Sequence, residues 1–250
     1  MILAAGLGTR LRPLTDDRPK ALVEVAGRTM LEIVLSRLRA FGVTEVIVNA
    51  HHYAEMMVKY LQDNGNFGMR IEVSREEDLL DTGGGLKKAA WFFVENGGSS
   101  EEPFIVHNVD VLSTIDLKHM LRINVEQDAL ATLAVQDRET SRLLLFDGQG
   151  QLCGRRIRHT ADSGCGQVEL ARPASTLQAL AFCGIHAVSP RLFARIREEG
   201  TFSIIAAYLR LVAEGERISG FRADGSYWRD LGKPENVMQA ERDISSGVLT

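Results

Sequence analysis

The hydrophobic positions of this 250-residue chain fall into short apolar runs that alternate with stretches repeating at helical spacing. In sequence, that is the form of a sheet of strands wrapped by helices. The opening run MILAA and the run EVIVN at residues 45–49 predict buried strands. Residues 29–41 predict a helix, because Thr29-Met30-Leu31-Glu32 is a capping-box pattern and Leu31, Val34, Leu35 and Leu38 share one face. A helix from about residue 53 follows, with Tyr53, Met57, Tyr60 and Leu61 inward, and then a strand at 70–74, a helix at 86–94, a strand at 104–106 and a helix at 116–125.

Beyond residue 128 the rhythm changes. Residues 129–135 and 142–146 predict strands, and the turn Asp147-Gly148 behind the second points to antiparallel pairing. Residues 154–178 are polar and irregular, and an insertion over the functional site is expected there. A strand at 180–188 precedes an amphipathic helix at 203–212, with Ile204, Ile205, Tyr208, Leu209 and Val212 inward. A strand at 218–222 and a helix at 234–244 close the series, with Pro234 suited to a first helical turn. The predicted fold class is α/β, with a mixed, mostly parallel central sheet.

Composition adds exclusions. A 45% hydrophobic and 25% charged chain is an ordinary globular one, and a net charge of −4 argues against a general nucleic-acid partner. No apolar stretch approaches the roughly 20 residues that cross a bilayer. Met1 leads into a strand rather than a secretory core, so a cytoplasmic protein with no membrane partner is expected. Cys153, Cys165 and Cys183 are far apart with no C-x-x-C, which predicts buried or half-buried thiols rather than disulfides or a zinc site.

Candidate chemistry concentrates at residues 3–25, LAAGLGTRLRPLTDDRPKALVEV. Gly6 and Gly8 let the backbone bend and bring its amides against a ligand, and Arg10, Arg12, Arg18 and Lys20 supply positive charge around the same loop. Pro19 stiffens the approach to Lys20. The pattern is that of a phosphate cradle. A dinucleotide-binding turn does not fit, since Leu11 stands where a third glycine is needed, and no G-x-x-x-x-G-K-[ST] occurs. Asp110 follows the strand FIVHN, at the edge where open α/β sheets bind ligands. Three glycines at 83–85 are costly in a plain turn, and a flat base lying against exposed backbone would give them a purpose. Adjacent His51 and His52 point apart, and His107 is expected to be a satisfied strand histidine.

With the loop, the segments DTGGGLK at 81–87, VHNVD at 106–110, FCGI at 182–185 and YWRDLGKPE at 227–235 resemble, over almost the whole chain, the sugar-1-phosphate nucleotidyltransferases. Within that family the pattern is nearest to N-acetylmuramate-1-phosphate uridylyltransferases, with mannose-1-phosphate guanylyltransferases next. The resemblance implies a Rossmann-like, three-layer α/β/α nucleotidyltransferase domain over residues 1–250. Residues 1–135 would form its nucleotide-binding half and 136–250 its sugar-phosphate half, with no hexapeptide β-helix domain.

The activity implied is Mg²⁺-dependent transfer from a nucleoside triphosphate to a sugar 1-phosphate, by a monomer or homodimer. Arg10, Lys20 and Asp110 take the catalytic roles the resemblance implies, and Asp110 with Asp230 holds the metal. Nucleotide contacts fall on Leu3, Ala4, Ala5, Gly6, Gly8, Thr9, Arg10 and Lys20, and on Asp81, Thr82, Gly83, Gly84 and Asn108. Sugar-phosphate contacts fall on Lys20, Arg142, Glu169 and Gly184. Val109, Glu24 and Asp81 depart from the family's usual residues. A mannose- or heptose-1-phosphate guanylyltransferase, a catalytically weak nucleotide-sugar-binding regulator, and cytidylyl transfer to a non-sugar phosphate stay open as alternatives.

Overall fold

The computed structural model describes residues 1–94, 102–157 and 167–248. The first half runs β1 (Ile2–Leu3), β2 (Glu24–Val25), β3 (Arg28–Thr29), α1 (Met30–Ala40), β4 (Glu45–Ala50), α2 (Ala54–Asp63), β5 (Arg70–Arg75), α3 (Asp81–Lys88), α4 (Ala90–Val94), β6 (Phe104–Asn108), β7 (Val111–Ser113) and α5 (Leu117–Glu126). The second runs β8 (Ala131–Gln136), β9 (Arg142–Phe146), β10 (Leu152–Ile157), β11 (Gln167–Leu170), β12 (Gln178–Val188), α6 (Ile204–Ala213), β13 (Ile218–Arg222), β14 (Trp228–Asp230) and α7 (Pro234–Ser245).

Strands β13, β8, β6, β1, β4 and β5 run in one direction, and β12 lies against them between β8 and β6. The central sheet is therefore mixed and mostly parallel. Successive side chains alternate between its faces, as strand geometry requires. Val46 and Val48 join a core under α1, α2, α5 and α7, whereas Ile47 joins one under α3, α4 and α6. These are the three layers. The cap of α1 forms as its sequence predicts, with Thr29 Oγ1 accepting from the Glu32 amide at 3.1 Å, but the Glu32 carboxylate turns to Arg28 rather than back to the cap.

Strand β12 changes partners along its length. Residues 185–188 pair with β6 and residues 178–180 with β9, and its register breaks between Phe182 and His186, around Gly184 at φ +72°. The turn at Asp147 joins β9 to β10 as an antiparallel hairpin, while β8 pairs with β12 and β13. Two expectations are corrected. Residues 152–157 and 167–170 are antiparallel strands rather than irregular chain, the second at the edge of the sheet, while residues 158–166 of the expected insertion, with Cys165, lie outside the described residues. The glycines at 83–85 lie inside α3, not in a loop before a helix, because their small size is used for packing.

Candidate active site

Because β1 is flanked by β4 and β6, the segments that follow β1 and β6 leave the carboxyl edge of the sheet side by side. Beyond Leu3 the Ala4 amide donates to Asn49 Oδ1 at 2.6 Å, Gly8 takes φ +67°, and the buried Thr15 hydroxyl donates to the Gly8 carbonyl at 2.9 Å. A Cβ on Gly8 would lie 3.0 Å from Thr15 Cγ2 and 3.2 Å from Lys20 Cβ, and one on Gly6 would lie 3.4 Å from Lys20 Nζ. The glycines thus let the loop rest on the lysine.

Lys20 Nζ donates to Asp110 Oδ2 at 2.9 Å, with side chains only 15% and 11% exposed. Asp230 reaches the same place through the β7–β14 ribbon, in which it faces Val111, while the Leu231 amide donates to the Asp110 carbonyl at 2.7 Å. The Gly232 amide donates to Asp230 Oδ1 at 2.6 Å. A Cβ on Gly232 would lie 2.7 Å from that oxygen and 2.8 Å from Arg10 Nη2, so the Arg10 guanidinium lies over the same turn. Residues 10, 20, 110 and 230, separated by most of the chain, therefore converge. Arg12 and Arg18 do not join them, since each forms an exposed ion pair, with Asp16 and Asp17 respectively.

A cleft of about 350 Å³ opens beside this cluster, lined by Leu3, Ala5, Gly6, Lys20, Asp81, Thr82, Asn108 and Asp110. Asn49, Glu76, Leu79 and Thr201 also line it. Sequence reasoning missed these four, although Asn49, a polar residue closing an apolar run, carried a signal. Buried Asn49 donates to Glu76 Oε1 at 2.7 Å, and Glu76 Oε2 accepts from the Leu80 amide at 3.1 Å. A Cβ on Gly85 would strike both, at 2.6 Å from Glu76 Oε1 and 2.7 Å from Asn49 Nδ2. The Gly83 and Gly84 amides donate to the Phe202 carbonyl at 2.9 and 3.3 Å, and Thr82 Oγ1 accepts from the Ile204 amide. Those amides hold α3 against the start of α6, which corrects the expectation of exposed backbone at the triplet.

On the other side, a Cβ on Gly184 would lie 2.8 Å from Asn108 Nδ2, placing the β12 kink against the cleft wall. The structure does not bring Arg142 and Glu169 into the cleft lining. Both are exposed on strands beyond the kink, and Glu169 accepts from Arg155 Nε at 2.7 Å, because the edge strand turns that side chain toward its neighbour.

Beside the kink, the Arg138 guanidinium stacks on Trp228 at 3.6 Å. Burial lowers its pKa, against the opposing pull of Cys183 and Asp230. Burial likewise pushes the Cys183 thiol up to about 12 and holds His107 down at about 4. His107 is only half satisfied: Nδ1 lies 2.7 Å from the Asn108 carbonyl, while Nε2 is buried with no hydrogen-bond partner among the described residues. Cys153 and Cys183 are buried and free, as expected. Among the described residues, no helix is long and apolar enough to cross a membrane.

The phosphate-loop half of this geometry lies within residues 1–143, which match the family model for nucleotidyl transferase. The chain belongs to the nucleotidyl transferase family. It is 34% identical over 248 residues to N-acetylmuramate alpha-1-phosphate uridylyltransferase of Caulobacter vibrioides, covering 98% of this chain and 96% of that one. It is 30% identical to mannose-1-phosphate guanylyltransferase of Mycobacterium tuberculosis, covering 99% of this chain and 65% of the relative. The fold is shared with HddC from Yersinia pseudotuberculosis complexed with GMP-PN, at TM-score 0.74 and 20% identity over 97% of both chains. As the motifs led one to expect, these relatives, which match nearly the whole of this chain, are sugar-1-phosphate enzymes by name.

Proposed function

We propose that the protein transfers a nucleotidyl group from a nucleoside triphosphate to a sugar 1-phosphate, with UTP and N-acetylmuramate 1-phosphate as its substrates. The observation that carries the reading is the convergence of Arg10, Lys20, Asp110 and Asp230 beside a cleft that the glycine loop helps to line. The choice of substrates rests on the uridylyltransferase relative, which matches this chain over nearly its full length. The 30% identity to a mannose-1-phosphate guanylyltransferase over 99% of the chain favours a second reading, GTP with mannose 1-phosphate.

The reaction is an in-line displacement: a phosphate oxygen of the sugar 1-phosphate attacks the α-phosphorus, and pyrophosphate leaves from the opposite side. Both nucleophile and leaving group are already ionised, so the protein's task is to hold anions in line and offset their repulsion. Amides from Gly6 to Thr9, with Arg10, face the β- and γ-phosphates. Lys20, held by Asp110, bridges the α-phosphate and the incoming phosphate.

Asp110 and Asp230 fit Mg²⁺. Each has one carboxylate oxygen bonded within the protein and a second with no bond to the described residues, and hard oxygen donors suit this cation. When bound, Mg²⁺ would neutralise charge on the phosphate oxygens. Pyrophosphate release with Mg²⁺, measured over the nucleoside triphosphates crossed with N-acetylmuramate, mannose, glucose and heptose 1-phosphates, tests the proposal. Release is expected for one pair and should vanish in Asp110→Asn. Silence across the panel would overturn the transferase reading in favour of a nucleotide-sugar-binding regulator.

A further inference from the structure

Asp230 ends the short strand β14. Strand β14 has three residues and, among the described residues, pairs with β7 alone, itself three residues long, outside the main sheet. Such a short ribbon is marginal on its own. On one side α7 holds it, through the Arg229–Asp243 ion pair at 2.8 Å and the Asn236 side-chain amide donating to the Asp230 carbonyl at 2.7 Å; toward β12 it is tied by Trp228, two residues before Asp230, whose indole Nε1 donates to the Cys183 carbonyl at 2.7 Å. Arg138, just beyond β8, sets its guanidinium carbon over that indole at 3.6 Å from the ring centroid and donates from Nη2 to the neighbouring Phe182 carbonyl at 2.8 Å. The register of β12 against β8 shifts between Phe182 and His186, so both carbonyls sit where the regular pairing gives out. Arg138 Nε is buried with no hydrogen-bond partner among the described residues, so this guanidinium gives up a hydrogen bond to keep its stacked position.

We infer that Arg138 and Trp228 are positioning residues for Asp230, locking β14 to the β12 kink and so fixing the distance between the two metal-bearing carboxylates. The inference rests on the metal-holding role proposed above for Asp230. Cation–π stacking in a desolvated setting and a charge-assisted hydrogen bond act on the same side chain. Lysine cannot reproduce the planar stack, so Arg138→Lys is not a conservative change here.

The test is Mn²⁺ binding, read by the loss of the free-ion electron paramagnetic resonance signal, to the protein loaded with the α,β-methylene analogue of its triphosphate. Arg138→Met is expected to raise the Mn²⁺ dissociation constant by about 10- to 100-fold, the range for residues that orient metal ligands. Binding of the analogue in EDTA should stay unchanged. Trp228→Phe, which keeps a ring but loses the Cys183 bond, should give a smaller rise in the same direction, and it decides the matter if Arg138→Met does not fold. Wild-type Mn²⁺ affinity in both folded variants would overturn the inference while leaving the proposed reaction intact. A wild-type protein that releases no pyrophosphate and binds no Mn²⁺ would overturn both.

Discussion

Replacing Lys20 by alanine removes one charge of a pair held 2.9 Å apart, with side chains 15% and 11% exposed. At an effective dielectric constant of about 20 the gross attraction at that separation is about 6 kcal/mol, most of it spent on desolvating the two ions. What the fold loses is set by the Asp110 carboxylate left behind. Stranding a fully buried charge costs about 3–5 kcal/mol, and since solvent still reaches this pair the expected loss is about 1–3 kcal/mol. Turnover should fall further, by about 10²- to 10³-fold, because a fixed positive charge is taken from the place where phosphate charge develops.

Urea unfolding of Lys20→Ala, Asp110→Ala and the double variant, with pyrophosphate release by Lys20→Ala, separates the two effects. The double variant should be at least as stable as Lys20→Ala, with a coupling of about 1–3 kcal/mol. Near-normal turnover in Lys20→Ala would remove the lysine from the mechanism. Strictly additive stability losses would show that the ion pair is incidental.

Gly84→Ala gains about 1 kcal/mol of helix propensity. It also places a Cβ 2.4 Å from the Gly200 carbonyl oxygen, a backbone atom with little freedom to yield, so a net loss of about 1–2 kcal/mol is expected. A raised melting temperature would contradict the close packing of α3. Thr29→Ala deletes the cap of α1 and its bond to Tyr60, and should cost about 1–2 kcal/mol in chemical denaturation with turnover unchanged. Burial holds His107 and His186 at about 4 and about 3, below the ordinary 6.5. Between pH 6.5 and about 4 the unfolded chain therefore binds protons that the native one does not, and stability falls as pH drops, by up to about 1.4 kcal/mol per pH unit for each histidine. His186→Gln should flatten the slope of unfolding free energy against pH; an unaltered slope would count against the assignment.

Much of the site was legible because its chemistry is local. The bend at Gly6 and Gly8, the stiff approach to Lys20, and Asp110 just beyond an apolar strand each depend on neighbours in sequence, and all three meet in the structure. Arg142 and Glu169 failed to join them because nothing local says toward which side an edge strand turns a side chain, and Glu169 is held by a cross-strand arginine. The glycines at 83–85 were detected but misread. A missing Cβ signals closeness without saying to what, and here the neighbours are Phe202, Gly200, Glu76 and Asn49 rather than an open ligand surface. Arg12 and Arg18 looked equivalent to Arg10 until Asp16 and Asp17 were seen to pair with them.

The alternation of strands and helices, the phosphate loop and the family are all legible along the chain, since periodicity and short motifs are properties of neighbouring residues. Packing across the whole domain set β12 against the sheet with its kink at Gly184, brought Asn49 and Glu76 into the cleft lining, and placed Arg138 and Trp228 between the kink and the strand of Asp230. Those features join residues tens of positions apart, and such pairings are fixed by the packing of whole layers rather than by any local preference.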